Sequence, residues 1–392
     1  DTPGHSDFSE DTYRALSAVD SSIMIIDGAK GVESQTKKLF EVCRLRDMPI
    51  ITFCNKMDRE SRELIEIIDE IQEMLAIDVT PLSWPIGSGS NFSGVYNILK
   101  NEFEIFKTTP TSNKVDKVII SGLQNKEVYN HVDLEVMEKF FDEFNLATGL
   151  LPKFSKKDFL DGTLSPIFFG SALNNFGVEE LLNCFIEIAP EPLPKDSEER
   201  LINPYEKKFS GFVFKIHANM DPNHRDRLAF VKVVSGTFER NTPYLHVRQN
   251  KKLKFSSPNA FFAEKKKIVN ISFPGDIVGL HDTGNFKIGD TLTSGERIQF
   301  KGIPNFSPEH FRYINNKDPM KSKQLSKGID QLMDEGVAQL FTLNLNGRKL
   351  IGTVGALQFE VIQYRLLHEY GAKCSFENIK VHKACWIEGD EK

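Results

Sequence analysis

Ile50-Ile51-Thr52-Phe53-Cys54 constrains this chain more than any other stretch, because it runs five residues without the polar alternation of a half-wet strand. A strand with one face in water alternates. One that does not is buried on both faces, as in a parallel sheet covered by helices. The surroundings repeat the theme. Strands are expected over 22–27, 50–54 and 166–169, and helical spacing over 34–46, 62–75 and 178–188. Alternating strands and helices predict a doubly wound parallel sheet over roughly 1–195, interrupted between about 87 and 165 by a polar, mixed insertion.

Open α/β sheets bind ligands at the carboxyl ends of their strands. Asn55-Lys56-Met57-Asp58 occupies that position after the buried strand. A carboxylate at Asp58 can accept from the ring N–H and the exocyclic amine of guanine, whereas adenine offers a ring acceptor and no amine there. A hydrogen-bonding site rejects the wrong base by leaving its own polar groups unpaired. Lys56 can lay its aliphatic stem on the base while its ammonium stays in water. Past the strand at 166–169, Gly170-Ser171-Ala172-Leu173 has side chains small enough for backbone N–H groups to approach the guanine carbonyl oxygen. The chain opens on Asp1-Thr2-Pro3-Gly4-His5, a proline- and glycine-punctuated loop with an acid at its head.

These three motifs, in this order, together with HRDRLAFVKVVSGTF and VGALQFEV, resemble the bacterial peptide chain release factor 3 family, translational GTPases related to elongation factor G. The resemblance covers essentially the whole chain. It implies binding of GTP and GDP with Mg2+ and hydrolysis of GTP. It assigns nucleotide contacts to Asp1, Thr2, Pro3, Gly4, His5, Asn55, Lys56, Met57, Asp58, Ser171, Ala172 and Leu173. Asp1 is expected to hold magnesium through water, and His5 to align the attacking water and so be the catalytic residue. The implied role is termination of translation, in which the GTPase promotes departure of class-one release factors from the ribosome. An elongation factor G-like translocation GTPase, or a ribosome-binding piece that holds no nucleotide, are the alternatives. One family element has no match: GxxxxGK[ST], which cradles phosphates, occurs nowhere in the 392 residues. The glycine-rich 87–94 lacks the GK pair and follows the guanine motif. The sequence therefore reads as a piece without its phosphate loop and first switch, upward of about 30 residues. As such it is expected to bind GTP poorly, to be inactive, and to leave an apolar sheet face near 23–26.

Pro190-Glu191-Pro192-Leu193-Pro194 cannot continue a helix and is expected to be a stiff linker. Short alternating strands with glycine and asparagine turns over 205–302 predict a β-barrel domain. The pattern strand, helix, strand, strand, helix, strand over 303–392 predicts a ferredoxin-like α+β domain, its carboxyl end trimmed. Its second helix is expected to pack Leu357, Val361, Tyr364 and Leu367 into the core. A net charge of −6 excludes a uniformly basic nucleic-acid binder. Local basic clusters at 251–254 and 265–267, with Arg225 and Arg227, are candidate ribosomal RNA contacts. Five scattered cysteines without metal or redox spacing predict reduced thiols in the cytoplasm, and no apolar run is long enough to span a membrane; the protein is expected to be a monomer.

Overall fold

The computed structural model describes residues 2, 7, 9–107, 116–218, 227–262, 265–282, 284–304, 306–344 and 346–385. These form two compact units, 20–191 and 1–19 with 192–392. The second boundary falls inside the proline-rich run.

Labels follow the chain, beginning with helix α1 (Ser9–Ser17), which belongs to the second unit. The unit 20–191 is built on β1 (Ser22–Asp27), α2 (Ser34–Arg44), β2 (Ile50–Asn55), α3 (Leu64–Leu75) and β3 (Asp78–Pro81). The insertion follows with β4 (Ser83–Ile86), β5 (Gly94–Asn97), β6 (Glu102–Lys107), β7 (Asp116–Ser121), α4 (Leu134–Leu150) and α5 (Lys156–Leu160). β8 (Leu164–Phe169) and α6 (Val178–Ile188) then return to the sheet. That sheet has the order β1-β2-β8-β3, parallel throughout. All but the last residue of β2 is buried, as its unrelieved run requires. Ile51, Phe53 and Phe168 pack against Leu181, Cys184 and Ile188, the one buried stripe of α6. α3 buries Leu64, Ile67, Ile68, Ile71 and Leu75 and ends at Ala76 in a left-handed conformation. Ile23 and Ile25 on β1 are exposed.

The polar insertion is more ordered than its composition suggests. β4 to β7 form an antiparallel sheet in sequence order, and α4 lays Phe140 and Phe144 against Tyr96 and Phe103. Trp84 of β4 meets Phe169 of β8 edge-on at 5.5 Å. Lys117 joins the insertion to α6, its Nζ donating to Glu104 at 2.8 Å, Glu180 at 2.6 Å and Glu179 at 3.0 Å. These strands are hard to read from sequence because their core is a handful of aromatic positions spread among charges.

The second unit holds a barrel-like sheet of β9 (Ser210–Ala218), β10 (Arg227–Ser235), β11 (Pro243–His246), β12 (Lys251–Lys254), β13 (Asn259–Phe262), β14 (Lys265–Ile268), β15 (Ile277–His281) and β16 (Thr291–Thr293). Its order is β12-β11-β16-β9-β10-β15-β13-β14. Val213, Val231, Val278, Leu280, Tyr244 and Leu292 fill its core. The two edge strands are the lysine-rich ones, KKLK and KKKI, and charge on an edge discourages pairing with another chain. Further on come β17 (His310–Asn316), α7 (Ser322–Asp334), β18 (Gln339–Thr342), β19 (Lys349–Thr353), α8 (Gln358–Tyr370) and β20 (Cys374–Asn378). Their antiparallel order β18-β19-β17-β20 is the split βαβ arrangement of a ferredoxin-like domain.

The expected core stripe on α8 is corrected by the structure. Phe359, Ile362 and Leu366 are its buried apolar residues, while Tyr364 is 64% and Leu367 39% exposed. The helix carries two apolar stripes, and the sheet takes the one that faces Ile329 and Leu332 of α7. Close helix approach depends on Gly328, where an added Cβ would lie 2.7 Å from a Leu366 methyl.

Candidate functional site

The parallel register aligns the strand ends: Asp27 lies opposite Asn55, and Cys54 opposite Phe169. The loops after β2 and β8 are therefore neighbours. Backbone bonds join them, Gly170 N to Cys54 O and Met57 N to Gly170 O, both 3.0 Å. Only glycine fits at 170, since a Cβ there would collide with the Phe176 carbonyl oxygen.

Asn55 ties the two loops together. Its Oδ1 accepts from Lys56 N at 2.8 Å and from Ala172 N at 2.9 Å. Lys56 then takes φ +70°, a left-handed conformation that is uncommon for a side chain of its size and reverses the loop. That turn sends Met57 inward, where it is fully buried, and leaves Asp58 half-buried. Among the described residues the Asp58 carboxylate has no hydrogen-bond or ion-pair partner. An acceptor left open at the carboxyl end of a parallel sheet is what a base with two adjacent donors requires.

The lysine is held as well. Its Nζ donates to Asp27 Oδ2 at 2.6 Å, and the other oxygen of Asp27 accepts from Ala29 N at 2.9 Å. Burial acts to raise the Asp27 carboxyl, but the Lys56 ammonium and the Ala29 N–H outweigh it and hold it below the usual carboxylate range. The Lys56 side chain thereby bridges from the loop after β2 to the end of β1. Sequence reading missed Asp27. The available signal was an acid closing an apolar strand at the same end as the guanine motif.

In the third loop Ser171 is buried, its Oγ accepting from Asn174 Nδ2 at 3.0 Å, so it shapes the loop. Ala172 and Leu173 are exposed, and the Leu173 N–H has no partner among the described residues. Asn55, Lys56, Asp58, Ala172 and Leu173 are thus brought together at one rim. Asp1, Pro3, Gly4 and His5 lie outside the described residues, and Thr2 is described only as exposed. Nothing in the geometry bears on magnesium at Asp1, and no group of His, Cys, Asp and Glu that could hold a metal occurs among the described residues.

Arg225 also lies outside them. Arg227 is a correction. It is 6% exposed, with Nε 2.6 Å from Asp282 Oδ2, Nη1 2.9 Å from Asp334 Oδ2 and Nη2 donating to Phe286 O at 2.8 Å. A guanidinium committed to two carboxylates inside the protein cannot reach a phosphate. Of the barrel clusters, Lys251, Lys252, Lys254 and Lys267 are exposed.

A parallel-sheet domain whose strand-end loops converge on one open carboxylate, followed by a curled antiparallel sheet and a ferredoxin-like domain, has the architecture of an elongation-factor-type nucleotide-binding protein. Comparison with known families agrees. Residues 1–191 match the elongation factor Tu GTP binding domain, 208–295 elongation factor G domain 2, and 300–392 the C-terminal domain of class II release factor RF3. The three matches, in order along the chain, support an RF3-like translational GTPase. Its fold is similar to a crystal structure from Thermus thermophilus, with a TM-score of 0.75 at 16% identity over 97% of this chain. The chain spans 57% of the length of that one. All five cysteines are free, and no described helix is long and apolar enough to cross a membrane.

Proposed function

We propose that the protein is a ribosome-stimulated GTPase of translation termination, which binds GTP or GDP with Mg2+ and promotes departure of class-one release factors from the ribosome. The observation that carries guanine recognition is the open Asp58 carboxylate on the same rim as the Leu173 N–H. An acceptor for the ring N–H and amine sits near a donor for the carbonyl oxygen, a pattern complementary to guanine and not to adenine. The match of 300–392 to the RF3 C-terminal domain supports the termination role over translocation.

In this reading Lys56 covers one face of the base, Asn55 fixes the spacing of the two loops, and Asp27 holds Lys56 in place. His5 aligns the water that attacks the terminal phosphate, since phosphoryl transfer leaves the protein mainly positioning and electrostatic work. Asp1 holds the magnesium through water, and the metal when bound supplies neutralisation of phosphate charge. The exposed barrel lysines meet ribosomal RNA. Free, largely buried cysteines suit a cytoplasmic protein, which in this reading acts as a monomer.

The test follows a labelled class-one release factor on post-termination ribosomes. Full-length protein with GTP should speed its departure, and His5→Ala should abolish ribosome-stimulated hydrolysis while GTP binding persists. Unaltered departure in the presence of protein and GTP contradicts the termination role. Faster translocation instead supports the elongation factor G-like alternative, which the match of 208–295 keeps in view.

A further inference from the structure

We infer that one end of the ferredoxin-like domain is a phosphate-binding surface for structured RNA, built by Lys317, Lys321, Lys323, Lys327 and Lys373. All five are exposed, and none has an ion-pair partner among the described residues. The fold gathers them from separate elements. Lys317 follows β17 and its N–H donates to the Lys373 carbonyl at 3.0 Å, so these two lie side by side where β17 ends and β20 begins. Asn316 Nδ2 donates to Ser322 Oγ at 2.9 Å and fastens the start of α7 to the same corner. Lys323 and Lys327 then lie one helical turn apart on α7. Met320, between Lys317 and Lys321, is 87% exposed.

Stability does not explain these charges. The first turn of α7 contains no acid and has no side-chain cap, and cations there oppose the positive end of the helix dipole. Lys323 and Lys327 at i,i+4 repel one another as well. Asp318, whose carboxylate accepts from the Met320 N–H at 3.0 Å, and the exposed Asp330 on α7 are fewer than the five cations gathered here. A concentration of unneutralised positive charge on a chain of net charge −6 is kept at a cost to the fold, and a polyanion removes that cost on binding.

The composition of the surface selects the polyanion. Protein interfaces favour arginine and disfavour lysine, while phosphate backbones are met well by lysine as a point charge. Arginines of the same domain are otherwise engaged: Arg365 with Glu335 and Glu369, Arg348 with Glu377, and Arg312 over the Phe359 ring. Tyr364, its ring tilted 35° against that of His368 at 4.1 Å, adds an exposed ring to the same domain. The surface does not depend on the guanine site.

The experiment measures fluorescence anisotropy of a fluorescein-labelled RNA duplex of about 20 base pairs with full-length protein over a salt series. The comparison variant is Lys317→Glu/Lys321→Glu/Lys323→Glu/Lys327→Glu, with a milder set of four Lys→Gln changes beside it. Each lost phosphate contact should lower the slope of log affinity against log salt by roughly 0.7–0.9, so the glutamate variant should lose about 3 units of slope and more than about tenfold in affinity. Thermal stability of both variants should hold or rise. RNA binding unchanged in the glutamate variant overturns the proposal, and so does a fall in stability of the glutamine variant, which would make the lysines part of the fold. Equal direct binding of polyglutamate overturns it in favour of an acidic protein partner.

Discussion

Two regions of this molecule treat charge in opposite ways. At the loop pair after β2 and β8, Asp58 is half-buried and open, Lys56 is exposed and tethered at one point, and Asn55 braces the backbone. Where the curled sheet meets the third domain and α1, charges are closed off. Arg227 is locked between Asp282 and Asp334, Asp290 accepts from buried His246 at 2.8 Å and from Arg248, and Glu10 pairs with Arg14. Asp282 Oδ1 also accepts from the backbone of Gly284, Asn285 and Phe286. The contrast separates two uses of ionised side chains. In the reading proposed above, open charges on hydrogen-bonded loops receive a ligand, while closed charges hold elements in register.

The largest expected effect breaks the closed region. Arg227→Ala leaves buried Asp282 with its backbone donors but without a counter-charge, which should destabilise the unit 1–19 with 192–392 by about 3–5 kcal/mol. Urea unfolding followed by far-ultraviolet circular dichroism reads this. A loss below about 1 kcal/mol would return Arg227 to the surface role expected from sequence.

Glu10 gives the next effect. Burial pushes its carboxyl up to about 7, although Arg14 opposes the shift. A raised carboxyl stabilises the folded state fully at pH below the unfolded value of about 4.5, and this contribution fades as pH rises to about 7. The loss is on the order of 3 kcal/mol. Stability of the parent minus that of Glu10→Gln should fall over that window and stay flat above it. A difference independent of pH across the same window contradicts the assignment.

Within the open region, Asn55→Ala removes the acceptor shared by Lys56 and Ala172 and should weaken guanine nucleotide binding by on the order of 2 kcal/mol, with little change in unfolding. Calorimetry of GDP binding against thermal unfolding separates the two readouts. Asp27→Asn is smaller, about 1 kcal/mol, because it loosens Lys56 without removing a base contact. Identical GDP affinity in Asp27→Asn would leave that ion pair ornamental to binding.

The same contrast explains what sequence could reveal. Residues 50–54 and 178–188 announced their elements because one burial environment dictates each pattern, and the observed strand Ile50–Asn55 and helix Val178–Ile188 follow it. The placement of residues 55–58 at a strand end was legible because the buried strand before them is a local pattern. Asp27 was not, because its partner is 29 positions away and only the parallel register brings them together. Arg227 misled for a related reason. Basic residues beside an acid look exposed in one dimension, while both of its partner acids, Asp282 and Asp334, come from distant sequence. On α8 two apolar stripes competed, and only the packing of α7 through Gly328 decides between them.

The claim at the centre of this account is that the Asp58 carboxylate reads guanine, and its most direct test is a competition between guanosine and xanthosine diphosphates on full-length protein and on Asp58→Asn. An amide presents a donor where the guanine amine needs an acceptor, and xanthine carries a carbonyl at that position. The parent should prefer GDP, and Asp58→Asn should lose at least about 2 kcal/mol of GDP affinity and prefer the xanthine nucleotide. An unchanged preference for GDP in Asp58→Asn would contradict the account.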